Sequence, residues 1–270
     1  MGVADRHCIT RKISAGSHSF ITLKFYFIII SMSNQSKLIF DIETVGADFD
    51  SLDEATQDNL TRWIKKESSG EDDYKIALEE LKNGLGFSPL TGEIVTIGML
   101  DYYKNQGVVY FQAPGEKIEE FTENDIKFKP LDEKGMLEKF WEAARQYQQF
   151  ITFNGRSFDV PFLMVRSAVH GIRPSKDLMR SRYLYQQDPH AVHIDLYDQL
   201  SFYGAVRRKG SLHLWSRVFE ITSPKAGGVT GDDVGKLFKE KKFMEIAKYN
   251  AGDLYATKEL YDKWDKYFVF

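Results

Sequence analysis

The chain has 270 residues, enough to bury a sizeable core as one domain or two. Apolar residues make up 43% of the sequence and aromatic residues 14%, which excludes a disordered chain. The net charge of −3 excludes a protein that attracts nucleic acid through overall positive charge, so any such surface is local. The single cysteine, Cys8, excludes an intramolecular disulfide and a cysteine-rich metal site, and it predicts a reducing, cytoplasmic location.

Residues 1–31 differ in composition from the rest of the chain. Residues 20–30 are apolar apart from Thr22 and Lys24, and basic residues precede them, as in a signal peptide or membrane anchor. The run is too short to span a bilayer, and no A-x-A cleavage site follows it. We predict that Met32 is the functional start, that 1–31 is an extension outside the fold, and that no stable membrane association occurs. A secretory signal and an interfacial tail are the alternatives.

The first predicted strand ends in two acidic residues. Strand-forming residues at 38–40 are followed by Asp41 and Glu43, which point the same way because strand side chains alternate between faces. Two adjacent carboxylates at the end of a buried strand repel each other unless a cation lies between them. Hard divalent cations prefer such oxygen ligands. The alternative is a strand that leads into a polar turn, with both acids in solvent.

The next part of the chain predicts an insertion followed by strands and a helix. Residues 48–87 form the insertion, with two helical stretches separated by a turn at 68–70. Strands are predicted at 93–103 and 108–111, joined by a hairpin-like loop. A helix is predicted at 131–147, where one apolar stripe is formed by Leu137, Phe140, Trp141 and Ala144.

A second polar cluster follows the strand predicted at 150–153. Asn154, Phe158 and Asp159 come directly after it, and a helix continues through 162–169. Each residue also has a structural interpretation: a turn residue for Asn154, a core aromatic for Phe158, and a helix cap for Asp159.

Two features of the following region are relevant to function. A strand at 192–195 leads into a predicted helix at 196–202, and we interpret Asp195 as its cap rather than as a group that supports a metal site. Residues 201–242 contain nine Lys or Arg against four Asp or Glu. Such a run is normally a solvated face, and the alternative, beside an acidic metal site, is a surface that holds a phosphate backbone.

The final predicted helix, at 243–264, carries Tyr249 and Asp253. These residues lie four positions apart and therefore share one face of the helix. For this pair taken alone, an exposed tyrosine and aspartate is the alternative.

Together these stretches resemble the motifs of a known nuclease superfamily. They are, in chain order, Asp41-x-Glu43, Asn154-x-x-x-Phe158-Asp159 and Tyr249-x-x-x-Asp253. Their order and spacing resemble the tyrosine-type (DEDDy) 3′–5′ exonucleases of the ribonuclease H-like superfamily, from about Lys37 to Trp264. Segments 87–95 and 193–196 are also similar to the exonuclease domains of B-family DNA polymerases, and more closely to stand-alone bacterial proteins related to those domains.

The resemblance implies a fold, a metal site and roles for individual residues. The fold is an α/β, ribonuclease H-like one, with a central mixed sheet flanked by helices over residues 32–270. The implied cofactors are two divalent cations, Mg²⁺ or Mn²⁺, held by Asp41, Glu43, Asp159 and Asp253. Tyr249 would orient the attacking water, since a phenol with a pKa of about 10 is a poor base at neutral pH. The implied substrate-binding residues are Thr44, Asn154 and Phe158, and the basic run adds Arg207 and Arg208.

The implied reaction is hydrolysis of single-stranded nucleic acid from its 3′ end to nucleoside 5′-monophosphates. DNA is favoured over RNA as the substrate. One alternative is a non-catalytic nucleic-acid-binding module, although such modules have usually lost a ligand and none is missing here. The other is a proofreading-type subunit that works with a polymerase or repair partner in trans.

Overall fold

The computed structural model describes residues 35–208, 210–222 and 230–269. The predicted extension at 1–31 lies outside them. No helix within these ranges is both long and apolar enough to cross a membrane. The strands described are β1 (Lys37–Gly46), β2 (Gly92–Asp101), β3 (Gln106–Phe111), β4 (Phe121–Glu123), β5 (Ile126–Pro130), β6 (Gln149–Thr152) and β7 (Val192–Asp195). The α-helices described are α1 (Glu54–Glu67), α2 (Glu71–Gly84), α3 (Glu133–Ala144), α4 (Asp159–Val169), α5 (Leu196–Leu200), α6 (Leu212–Val218), α7 (Val234–Lys239) and α8 (Phe243–Tyr267).

The strands form one mixed sheet in the order β4-β5-β3-β2-β1-β6-β7. Strand β1 pairs antiparallel with β2 and parallel with β6, and β7 pairs parallel with β6. On the other side, β2 and β3 form the predicted hairpin, and β5 runs parallel to β3. The predicted α/β architecture with a central mixed sheet is confirmed.

Helices cover both faces of the sheet, and alternation along β1 decides which face each residue meets. Leu38, Phe40 and Ile42 pack in the apolar cluster that contains α3 and α4 residues. Ile39 packs in a second cluster, to which α8 contributes more buried residues than any other element. Because the period of a strand is two, Asp41 and Glu43 belong to the α8 face.

The predicted helices are confirmed, with small shifts of their ends. Helices α1 and α2 occupy the insertion, and Asp53 caps α1 by accepting a hydrogen bond from the Thr56 amide at 3.0 Å. All four residues of the predicted stripe on α3 are buried. Helix α8 begins at Phe243 as predicted and continues three residues beyond Trp264.

Sequence analysis did not predict the hairpin of β4 and β5, or the short helices α6 and α7. In the hairpin, Ile126 and Phe128 are buried and alternate with lysines. The turn between the strands contains Asn124 and Asp125, both at positive φ, as the tight turns of hairpins require. The alternating pattern of a strand is present in β5, but β4 is only three residues long.

Candidate active site

Three carboxylates from opposite ends of the chain meet at the α8 face of the sheet. Asp41 and Glu43 come from β1, and Asp253 comes from α8. One carboxylate oxygen of each lies within 4.8 Å of the others. Glu43 and Asp253 are buried, and Asp41 is partly exposed. The alternative in which Asp41 and Glu43 lie in a solvated turn is therefore wrong, because β1 continues to Gly46 and α8 covers it.

Asp159 lies beside this cluster and lines the same cleft. It is the first residue of α4, and its Oδ1 accepts a hydrogen bond from the backbone amide of Ile42 at 3.1 Å. The position that caps α4 is Phe158, so the interpretation of Asp159 as a helix cap is wrong. The carboxylate instead connects α4 to β1 at the point where Asp41 and Glu43 project.

The acidic groups raise one another's pKa. Burial raises the pKa of Asp41 well above its ordinary value, and the charges of Asp159, Asp253 and Glu43 raise it further. The pKa of Glu43 is also raised well above its usual range, first by burial and then by Asp253 and Asp159. Burial is the main cause that raises the pKa of Asp159 to about 8. Lysine and arginine are absent from the described lining of the cleft.

This donor set fits hard divalent cations. Carboxylate oxygens are ligands that Mg²⁺ and Mn²⁺ prefer, and no lysine or arginine of the described lining neutralises them. A cation would relieve the repulsion between the carboxylates and offset the cost of their desolvation, the two effects that raise the pKa values. Asp41, Glu43 and Asp253 are the residues best placed to hold it, with Asp159 adjacent.

Tyr249 lines the cleft, whereas its neighbour Lys248 points elsewhere. Burial raises the pKa of Tyr249, and the charges of Asp253, Glu43 and Asp41 add to this effect. The phenol therefore keeps its proton at neutral pH and acts as a hydrogen-bond donor. The Lys248 ammonium instead pairs with Glu123 on β4 at 2.7 Å.

Asn250 is a site residue that sequence analysis missed. Its Nδ2 donates a hydrogen bond to Oδ2 of Asp41 at 2.8 Å, and its side chain is buried. Gly98 pairs with Asp41 across β1 and β2, and a Cβ there would overlap with Oδ1 of Asn250. Spacing offered one signal, because Asn250 lies three residues before Asp253 and shares its face of α8.

Asp195 shapes the loop that carries Asn154 and Phe158. Its carboxylate caps α5 as predicted, accepting a hydrogen bond from the Tyr197 amide at 3.0 Å. It also accepts hydrogen bonds from the amides of Asn154 at 2.8 Å and Arg156 at 2.9 Å. Asn154 has a φ of 67°, in the left-handed region, and its amide is held in this conformation by the hydrogen bond to Asp195.

The carboxylates form part of an open cleft of about 450 Å³. Phe153, Phe158 and Tyr197 form an aromatic wall, with Phe153 and Tyr197 edge to face at 5.5 Å between ring centroids. Asn154 also lines the cleft. The start of α6 and the residues just before it form a second wall of the cleft, which was not predicted from the sequence. This wall consists of Gly210, Ser211, Leu212 and His213.

Three predicted substrate-binding residues lie outside this lining. The Thr44 hydroxyl donates a hydrogen bond to the Gly86 carbonyl at 2.6 Å, which connects the end of β1 to the end of the insertion. Arg207 and Arg208 are exposed on the loop that leads to Gly210. Their contact with substrate stays a prediction.

Comparison with known proteins identifies the family. Residues 102–267 match a family described as a predicted 3′–5′ exonuclease related to the exonuclease domain of PolB. The chain belongs to this family. The matched range, which is more than half of the chain, contains Asp159, Tyr249 and Asp253, whereas Asp41 and Glu43 precede it.

Relatives of this exonuclease-family protein include large DNA polymerases. The catalytic subunit of DNA polymerase epsilon from Aspergillus fumigatus is 26% identical over 207 residues, which are 73% of this chain and 8% of that polymerase chain. The corresponding polymerase chain of Eremothecium gossypii is 24% identical over 277 residues, covering 98% of this chain and 11% of its own length. The chain thus spans about a tenth of the length of these relatives.

A solved structure shows the same fold. The family B DNA polymerase from the hyperthermophilic archaeon Pyrobaculum calidifontis matches 85% of this chain and 24% of its own, with a TM-score of 0.51 and 14% identity. The ribonuclease H-like fold predicted from the sequence is confirmed by this match and by the mixed sheet.

Proposed function

We propose that the protein is a metal-dependent 3′–5′ exonuclease that hydrolyses single-stranded DNA to nucleoside 5′-monophosphates. The observation that carries this proposal is the convergence of Asp41, Glu43 and Asp253 within 4.8 Å, with Asp159 beside them in an open cleft. Four carboxylates in a cleft whose described lining holds no lysine or arginine lack a nearby positive charge, which divalent cations would supply. A polyanionic substrate requires the same cations in order to approach.

The carboxylates of the proposed site would hold two divalent cations, Mg²⁺ or Mn²⁺. When bound, such cations activate a water and stabilise the leaving 3′ oxygen. The Ile42 amide keeps Asp159 close to β1, and Asn250 orients Asp41. Tyr249, which stays protonated, would donate a hydrogen bond that positions the water. Phe158 would stack on the terminal base, a contact that every base can make.

DNA is the proposed substrate because the relatives are named as DNA polymerases. The aromatic wall supports a single-stranded end, since unpaired bases can stack on Phe153, Phe158 or Tyr197. The same relatives support a second candidate, a proofreading-type subunit that works with a polymerase in trans. Its chemistry at the site is identical, so the two candidates differ only in the partner.

The decisive experiment is a gel assay with oligonucleotides labelled at the 5′ end. We expect single-stranded DNA to shorten stepwise from the 3′ end with Mg²⁺ or Mn²⁺, and to stay intact in excess EDTA. RNA of the same sequence should be cut more slowly. Asp159→Asn should be inactive, whereas the matched control Asp72→Asn, at an exposed position on α2, should act like the parent protein.

Three results would contradict the proposal. Activity that survives EDTA or the Asp159→Asn substitution would exclude the four-carboxylate site. Binding of DNA without hydrolysis under any metal condition would favour the non-catalytic module. Activity that appears only after a polymerase is added would favour the proofreading-type function in trans.

A further inference from the structure

Among the described residues that line the cleft, His213 is the one basic side chain. Four lining residues are carboxylates, and the remainder are apolar, aromatic or neutral polar groups except for His213. Cations at the carboxylates would neutralise the phosphate being cut. The adjacent phosphates of a bound strand would still face a cleft with little positive charge of its own.

His213 is presented by a helix that packs against the core. It is the second residue of α6, which Ser211 caps through a hydrogen bond from the Leu214 amide. Leu212 and Trp215 pack against the apolar cluster that contains α8, and Ser216 is fully buried. These contacts hold the backbone of α6 against the core, and His213 lines the cleft from this anchored helix.

The chemistry of an imidazole suits a phosphate at this position. In either protonation state the ring has at least one N–H that donates a hydrogen bond, and phosphate oxygens accept such bonds strongly when charged. Arg207 and Arg208 are exposed shortly before α6 in the sequence and lie outside the described cleft lining, so His213 is the basic side chain within that lining.

We propose that His213 is a substrate-positioning residue that binds a phosphate of the DNA backbone next to the one that is hydrolysed. This inference rests on the proposed exonuclease function and adds a contact on the wall formed by α6. The residue holds the strand in register and takes no part in bond cleavage. Loss of the side chain should therefore weaken binding of substrate and leave the chemical step intact.

The kinetic test compares His213→Ala and His213→Gln with the control His190→Ala. His190 is exposed to solvent and belongs to the loop before β7, outside the cleft lining. We expect His213→Ala to raise KM for single-stranded DNA about tenfold, the size of a lost hydrogen bond to a charged group, with kcat nearly unchanged. His213→Gln keeps an N–H donor and should recover part of the loss, whereas His190→Ala should match the parent protein.

A binding measurement separates this inference from the function on which it rests. In the Asp159→Asn background with Mg²⁺ present, fluorescence anisotropy of a labelled single strand should show a Kd about tenfold weaker for His213→Ala. Unchanged KM and Kd, or a lost kcat with unchanged KM, would overturn the role of His213. If the parent protein hydrolysed no strand, the exonuclease proposal would fail, and the anisotropy would still decide whether His213 contacts DNA. Should His213→Ala melt below the parent protein, Kd is measured at a temperature where both proteins are folded, and an unchanged Kd there overturns the role of His213.

Discussion

The protein has two buried acidic sites, Glu133 on α3 and the cleft carboxylates, and they differ in whether neighbouring basic side chains balance their negative charge. Glu133 on α3 is buried, and its carboxylate accepts hydrogen bonds from the Arg166 guanidinium at 2.8 and 2.6 Å and from the Ile94 amide at 2.8 Å. His170 lies at 2.6 Å from the same carboxylate. Burial alone would raise the pKa of Glu133, but Arg166, Ile94 and His170 together hold that pKa below its usual value.

The cleft carboxylates show the opposite balance. Asp159 and Asp41 receive hydrogen bonds from Ile42 and Asn250, and the pKa values of Asp41, Glu43 and Asp159 are raised. This fold can therefore neutralise a buried acid that serves structure, as it does at Glu133. In the cleft, no lysine or arginine of the described lining balances the carboxylates. A site that takes up cations from solution requires such an arrangement.

Replacing Asp41 tests whether the cleft carboxylates serve function. Asp41→Asn should reduce turnover by more than about a hundredfold, because changing even the outer partners of metal ligands costs roughly 10–100-fold. Its melting temperature in EDTA should stay level or rise, since repulsion among the carboxylates is relieved. Glu133→Gln should keep its turnover at temperatures where it is folded. Normal turnover by Asp41→Asn would show that the cleft carboxylates do not serve catalysis.

The next effect tests the closed site. Glu133→Gln should lower the free energy of unfolding by about 3 kcal/mol, the lower end of the cost of breaking a buried ion pair, because Arg166 keeps partial access to water. Urea unfolding measures this change. Glu138→Gln, exposed on the same helix, is the control and should be neutral. Equal unfolding midpoints for both variants would show that the Glu133 network contributes nothing to stability.

The pH dependence of stability should have opposite signs at the two sites. A pKa raised to about 8 means that folded Asp159 holds its proton more tightly than the unfolded chain does. Its contribution is present below the ordinary pKa of about 4 and is lost as pH rises through about 8. The lowered pKa of Glu133 contributes stability above its ordinary value, and this is lost in acid.

Melting curves in EDTA measure this difference. As pH rises from about 5 to 8, the parent protein should lose more stability than Asp159→Asn. Each kcal/mol lost from the free energy of unfolding should lower the melting temperature by about 2–4 °C. Saturating Mg²⁺ should raise the melting temperature more at the upper end of this range than at the lower end. Parallel curves for the two proteins would mean that Asp159 titrates normally.

A smaller effect distinguishes Tyr249 from the carboxylates. Tyr249→Phe removes a neutral hydrogen-bond donor, so turnover should fall about tenfold, as expected for one hydrogen bond to a charged or polar partner. The Mg²⁺ concentration for half-maximal activity should barely change. Lys248→Ala, which breaks only the pair with Glu123, should stay active. An inactive Lys248→Ala or a fully active Tyr249→Phe would make the tyrosine-type assignment wrong.

The smallest effect concerns the exposed charges before α6. Arg207→Ala combined with Arg208→Ala should lower the dependence of log K on log salt by roughly 0.7 for each phosphate contact that is lost. KM should rise modestly, and turnover at saturating substrate should persist. Arg173→Ala, at an exposed position outside the cleft lining, is the control. An unchanged salt dependence would show that Arg207 and Arg208 belong to a solvated surface that does not contact substrate.

The sequence revealed those parts of the site that follow from local periodicity. Alternation along β1 placed Asp41 and Glu43 on one face, and the helical period placed Tyr249 beside Asp253. The β4–β5 hairpin was missed because the three residues of β4 are too few for a reliable pattern of period two. The family resemblance then joined motifs that local patterns alone could not bring together.

The remaining site residues depend on contacts that no local pattern contains. His213 reaches the cleft only because α6 packs beside α8, and the sequence around it shows a weak helical signal of seven residues. Asp195 was recognised as a cap, but its bonds to Asn154 and Arg156 join residues 41 and 39 positions apart. Such long-range pairs arise from tertiary packing.

The missing side chain at Gly98 has a consequence for how this protein can change over generations. Asn250 occupies the space that a methyl group at position 98 would need, and its amide donates a hydrogen bond to Asp41. A larger residue at position 98 is thus excluded while Asn250 keeps this position, although the two are far apart in the chain. In a relative that carries a larger residue at the position of Gly98, the residue aligned with Asn250 would have to be smaller. An alignment can therefore reveal, without any protein being made, which members of the family retain this helix–sheet approach.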